Sequence, residues 1–211
     1  MPATTPVSRN KTAALSRVLD LVPRGYQRYT SGTIKAAKAE RLAHKFHARY
    51  AIGATPAQRL VRKHRGDANA LLVLYWPENA EIVHWLLLAT EGNGLEQEDW
   101  QSVTSKSRLV WLGYELVRYP TRGRTSWTWR RPKSEMAEHY LMLASLTGQR
   151  NETAVQGWLE RLAHQPGFHG VRQQTWSLYQ EAHRRGFTGE LPVIYYVQKI
   201  SHGEPMQLAV S

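Results

Sequence analysis

The middle of the chain carries hydrophobic residues in continuous or alternating runs, while both flanks carry them at spacings of three and four. The first pattern predicts strands and the second helices. Residues 69–76 (NALLVLYW) read as a buried strand, Pro77, Glu78 and Asn79 as a turn, and residues 81–90 (EIVHWLLLAT) as the returning strand. Residues 108–119 are rich in β-branched and aromatic side chains. Pro120 and Gly123 punctuate a turn, and residues 125–131 alternate. Trp127, Trp129 and Arg131 fall on one side, Thr128 and Arg130 on the other. Four consecutive strands predict a mainly antiparallel meander over residues 69–131.

On the N-terminal side, residues 11–22 place Ala14, Leu15, Val18, Leu19 and Val22 on one helical face, and Pro23 ends the run. Residues 33–50 form the clearest helical pattern. Thr33 is its cap, Gly53 its close, and Ala39, Leu42, Ala43, Phe46 and Tyr50 its apolar stripe. Thr55 and Pro56 open a second helix that runs to His64 or Arg65. On the C-terminal side, residues 134–146 predict a helix burying Met136, Tyr140, Leu141, Leu143 and Ala144. Residues 151–164 and 171–185 predict two more, the last with Trp176, Leu178, Tyr179 and Ala182 inward. Residues 191–200 (LPVIYYVQKI) read as a strand returning to the sheet edge. The expected class is α+β, with basic N-terminal helices and a helical C-terminal part. The expected division is a disordered N-terminus (1–10), a basic nucleic-acid-binding core (11–133), a helical part with a returning strand (134–200) and a tail (201–211).

Charge sharpens this picture. The 211 residues carry a net charge of +11 and no cysteine, which excludes disulfides and thiolate metal sites. Residues 1–66 hold 14 basic and 2 acidic side chains; residues 67–105 hold 7 acidic side chains and no Lys or Arg. Residues 106–133 hold 8 basic and 1 acidic side chain, and the remainder is near neutral. Such blocks predict a dipolar molecule whose basic face, assembled from residues 33–65 and 106–133, meets a polyanion. The apolar runs are too short to cross a membrane, so no membrane insertion is expected. The first residues lack the apolar segment of a signal peptide, and a cytoplasmic, bacterial location is expected.

The basic positions have a pattern suited to nucleic acid. Arg24 and Arg28 interleave with Tyr26 and Tyr29 in a stretch that, as a loop, offers stacking beside phosphate contact. Lys38, Arg41, Lys45 and Arg49 recur at spacings of three and four beside the apolar stripe, a ridge that can follow phosphates. Arg59, Arg62 and Lys63 continue it around Leu60 and Val61, in a pair of helices with the outline of a helix-turn-helix. The hairpin adds Arg108, Arg118, Arg122, Arg124, Arg130 and Arg131, with Trp127 and Trp129 as stacking surfaces. The competing reading makes the two tryptophans core residues and the arginines a solvated edge; for the tryptophans alone that reading is the stronger.

Catalytic and metal chemistry find less support. The nine histidines include no H-x-x-x-H pair, and Arg41, Lys45 and Arg49 surround His44 and His47 with repelling charge. His84 sits within an apolar strand, a place for a core histidine rather than a general base. Glu91, Glu96, Glu98 and Asp99 crowd one acidic loop, and Gly92-Asn93-Gly94 lacks the lysine and glycine spacing of a phosphate loop. No cofactor is expected.

The segments KAERLAHKFHARY, YWP, GYELVRYP with WTWRR, and PGFHGVRQQ with the following LPVIYYV together resemble uncharacterised proteins of conjugative plasmids and integrating conjugative elements. The resemblance implies a mobile-element role in plasmid processing, control of transfer or a nucleoprotein complex, and assigns no residue. The leading expectation is therefore a non-catalytic DNA- or RNA-binding protein that works beside other protein subunits. Two alternatives stay open. One is a nuclease or RNA-processing subunit of a CRISPR-type ribonucleoprotein. The other is a conjugation- or fertility-inhibition factor that acts by protein–protein contact.

Overall fold

The computed structural model describes residues 3–121, 124–197 and 203–208, with backbone alone at residues 121, 124 and 125. In chain order its elements are β1 (Thr4–Ser8), α1 (Lys11–Leu21), β2 (Arg28–Lys35), α2 (Ala39–Tyr50), α3 (Pro56–His64), β3 (Ala70–Tyr75), β4 (Ile82–Ala89), β5 (Gln101–Ser102), β6 (Val110–Trp111), β7 (Tyr114–Thr121), β8 (Arg124–Arg130), α4 (Lys133–Gly148), α5 (Glu152–Ala163), α6 (His169–Arg184) and β9 (Glu204–Gln207). The class is α+β with mainly antiparallel sheets, as the patterning predicts. The strands of residues 69–131, however, belong to two sheets in two compact units. One unit is Met1–Leu109 with Ile200–Ser211, the other Val110–Lys199, so the expected core of 11–133 is divided within its length.

The first unit holds a six-stranded sheet in the order β5-β2-β4-β3-β1-β9. All its pairs are antiparallel except β1 with β3. The continuous apolar runs of β3 and β4 follow from burial on both faces. Ala70, Leu72 and Leu74 join Ala43, Phe46 and Tyr50 of α2 in one core cluster. The alternate residues Leu71, Val73, Leu86 and Leu88 are equally buried and lie outside that cluster; α1, which packs on β3, buries Ala14, Leu15 and Val18. Each such leucine contributes about 1.5–3 kcal/mol on leaving water.

Three expectations change here. Residues 4–8 are not disordered but form β1, an interior strand between β3 and β9. Pro6 faces Pro205 across β1 and β9, two residues without an amide hydrogen on one rung. Arg9 fastens the end of this pairing. Its Nε and Nη2 donate to Glu204 at 3.0 and 2.9 Å, and its Nη1 donates to the Trp76 carbonyl at 3.0 Å. The clear helical pattern of 33–50 starts only at Ala39, because Arg28–Lys35 is a strand; Ala51 (φ 51°), rather than Gly53, takes the left-handed cap. The expected tail contributes β9, whereas residues 191–197 form no strand, and 198–200 lie outside the described residues.

The second unit pairs β6-β7-β8 with three helices. The run predicted as one strand over 108–119 is broken at Leu112 and Gly113. Their φ values of 53° and 85° make a two-residue turn between the paired Trp111 and Tyr114. A core of Leu143, Trp158, Leu159, Leu162, Leu178 and Tyr179 joins α4, α5 and α6. In α4 only Leu143 is buried, while Leu141 is 71% exposed; Trp176 of α6 also faces outward.

Candidate nucleic-acid interface

In the second unit the hairpin register sets which side chains meet. Leu116 pairs with Trp129 and Arg118 with Trp127 on one face; Val117 pairs with Thr128 and Tyr119 with Ser126 on the other. The end near α6 is interior. Trp129 is fully buried, and the Gly170 N–H donates to Thr128 Oγ1 at 3.1 Å. A Cβ on Gly170 would stand 2.6 Å from the Trp129 carbonyl oxygen, so the approach of helix to strand requires glycine. Farther from that end Arg118 is exposed and Trp127 half-buried. There the Arg118 guanidinium lies over the Trp127 ring, 4.8 Å from its centroid, and makes no ion pair among the described residues. On the reverse face Tyr119 and His169 stack at 4.5 Å with planes 15° apart. Arg172, one turn along α6, lies 3.4 Å from the centroid of the exposed Tyr196 ring.

Arg131 overturns its expected role. It is fully buried, and each of its three nitrogens donates to a neutral acceptor. Nε donates to Gln165 Oε1 at 2.7 Å, Nη1 to the Val171 carbonyl at 3.2 Å and Nη2 to Thr175 Oγ1 at 2.9 Å. Burial lowers its pKa, partly opposed by Tyr114, Glu135 and Tyr179. Gln174 also exchanges two hydrogen bonds with the Arg131 backbone, extending β8 by one rung of side-chain amide. Arg131 and Trp129 are thus pieces of the β8–α6 joint, and neither can meet a ligand. Arg130 pairs with Glu115 at 2.8 Å. The side chains of Arg122 and Arg124 lie outside the described residues.

In the first unit the basic positions are partly answered by the chain's own acids. Lys38, Arg41, Lys45 and Arg49 do form an exposed ridge on and just before α2. Yet Glu98 binds Lys45 at 3.1 Å and Arg49 at 3.0 Å, and Glu91 lies 3.4 Å from Arg28. Tyr26 and Tyr29 are buried, with the Tyr29 hydroxyl donating to Gln101 Oε1 at 2.7 Å. The expected stacking loop around Arg24 and Arg28 is therefore a turn and a strand whose tyrosines face the core. Burial raises the Tyr29 pKa.

The α3 helix begins with a full capping box between Thr55 and Gln58 but buries none of its residues. Leu60 and Val61 point outward, and Arg62 turns inward to donate to the Ala68 carbonyl at 2.8 Å. Lys63 is exposed, Arg59 half-buried, and Arg24 and Arg108 exposed. Of the expected surface, Arg118 and Trp127 come together in one unit and Lys38 with Arg41 in the other.

Sequence reasoning missed Tyr119, His169 and Tyr196. Tyr119 and His169 are 50 positions apart, and no local signal connects them. Among the described residues no three His, Asp or Glu side chains are grouped to hold a metal ion, and no helix is long and apolar enough to cross a membrane. No protein-family model, curated protein or solved structure matches the chain.

Proposed function

We propose that this protein binds nucleic acid through the part of the β7–β8 hairpin that carries Arg118 and Trp127, without catalysing a reaction on it. The observation that supports this reading is the Arg118–Trp127 pair. A half-buried indole under an exposed guanidinium offers a ring surface for a base beside a fixed cation for phosphate. Tyr119 stacked on His169, and Tyr196 beside the Arg172 cation, place further rings in the same unit. Affinity comes mainly from phosphate and stacking contacts, so sequence preference is slight. A place in a nucleoprotein complex of a mobile genetic element belongs to the same proposal and rests on the sequence resemblance.

Fluorescence anisotropy with matched single- and double-stranded DNA and RNA across a salt series tests it. Binding with a steep negative salt dependence is expected. Arg118→Ala is expected to lower the salt slope by about 1, and Arg118→Ala with Trp127→Ala to weaken binding about tenfold or more. Absence of binding to all four oligonucleotides at low salt would overturn the reading.

A further inference from the structure

The sheet of the first unit has one edge that is open over most of its length among the described residues. Within β2, Arg28 and Tyr29 pair with β5, but among the described residues no strand continues that pairing past Tyr29. Two backbone bonds fix which groups face outward. The Ala36 N–H donates to the Glu81 carbonyl, on the β4 side, and the Val103 N–H donates to the Gln27 carbonyl, on the β5 side. Alternation along an antiparallel strand then turns the amides and carbonyls of Ser31, Thr33 and Lys35 away from β4, toward the open edge. All three residues are exposed. An edge of this length normally pairs with something or is guarded.

Beside the edge, on the face that carries α2, runs a groove of about 680 Å³. Ile34, Leu42 and Ala48 give it apolar walls, and Lys38, Arg41 and Lys45 give it a basic lining. Gly32 and Trp85 shape the strand beside it. The indole of Trp85 lies so close over Gly32 that a Cβ there would stand 2.8 Å from the ring. Trp85 in turn packs on Phe46 at 5.4 Å, which holds β2, β4 and α2 together next to the groove.

We infer that this edge and groove form a docking site for an extended acidic peptide of a protein partner, which joins the sheet as a strand along Ser31–Thr33–Lys35. Backbone pairing along the edge supplies affinity, and alternate side chains of the incoming strand project over the groove toward α2. Those side chains are acidic or aliphatic, because Lys38 and Arg41 form no ion pair among the described residues and Ile34, Leu42 and Ala48 line the groove beside them. The chain provides its own precedent for a carboxylate on this helix: Glu98 bridges Lys45 and Arg49. A peptide suits the edge better than a nucleic acid does. The outward carbonyls need donors that a phosphodiester backbone lacks, and the apolar walls need aliphatic side chains. This site lies in the first unit and stands independently of the hairpin.

Three fluorescein-labelled probes test it on the full chain, with repeats of Glu-Val, Glu-Ile and Asp-Leu. Anisotropy gives affinity, and hydrogen exchange gives the amides that become protected. At least one probe is expected to bind and to slow exchange at Ser31, Thr33 and Lys35. Lys38→Glu with Arg41→Glu, both at the surface, should weaken it about tenfold or more through like-charge repulsion. Thr33→Pro removes an outward amide without removing a β2–β4 bond; it should weaken binding comparably while leaving the circular dichroism unchanged. Binding by none of the probes, or binding that neither variant alters, overturns the inference. Protection of the same amides by single-stranded DNA, with none from the peptides, overturns it in favour of a nucleic-acid groove.

Discussion

Arg131 shows how much one side chain can hold. Each of its three guanidinium nitrogens donates one bond, to Gln165, Val171 and Thr175, and it sits where no water reaches it. Removing it leaves buried acceptors unpaired and a cavity behind, so Arg131→Ala is expected to cost about 3 kcal/mol or more. Urea denaturation followed by tryptophan fluorescence measures the loss; a change within experimental error would show that the joint repacks. Arg131→Lys should recover only part, because an ammonium cannot reach three directions in one plane.

The neighbouring Tyr114 and Tyr179 add a pH dependence. Burial pushes both phenols up to about 12, with Arg131 pulling the other way. A raised phenol pKa favours the neutral form in the folded state. This contribution is complete below about pH 10, the ordinary tyrosine value, and is lost as pH rises toward about 12. Melting temperature should therefore fall over that interval, and Tyr114→Phe with Tyr179→Phe should flatten the fall. An equally steep decline in the double variant would place its origin elsewhere.

At the scale of elements, the sequence discloses strands and helices wherever one local pattern acts alone. β3, β4, α1, α3 and α5 fall close to their expected bounds because apolar runs, caps and prolines agree. β2 was hidden because Thr33 resembles a helix cap in front of a strong amphipathic stripe. Its own signal, the β-branched Thr30, Thr33 and Ile34, is diluted by Ser31 and Gly32. β1 and β9 were hidden because each is short and holds a proline; β1 becomes a strand between β3 and β9, and β9 through β1. The break in the first hairpin strand lay in Leu112-Gly113, where only glycine is an expected turn residue. The candidate interface was legible in part. Alternation correctly grouped Trp127 with Trp129, but it carries no information on where α6 covers the strand. It thus could not separate the exposed Arg118 and half-buried Trp127 from the buried Trp129 and Arg131.

At the scale of the whole chain, two of the charge blocks lie in the same compact unit. The basic block of residues 1–66 and the acidic block of residues 67–105 fall within one compact unit, where acids from the second neutralise ridge residues from the first. Glu98 is the centre of this arrangement, with one carboxylate oxygen serving both Lys45 and Arg49. Such a pairing is weak in free energy at a surface, but it decides how many cations are available to a polyanion. Glu98→Gln keeps the shape and removes the charge, which releases two cations on one helical face. In a salt series with duplex DNA, the slope of affinity against salt should then steepen by up to about two units if both reach phosphate. An unchanged slope would mean that Lys45 and Arg49 form an ordinary solvated face, and that the contacts of this protein with polyanions lie in its second unit.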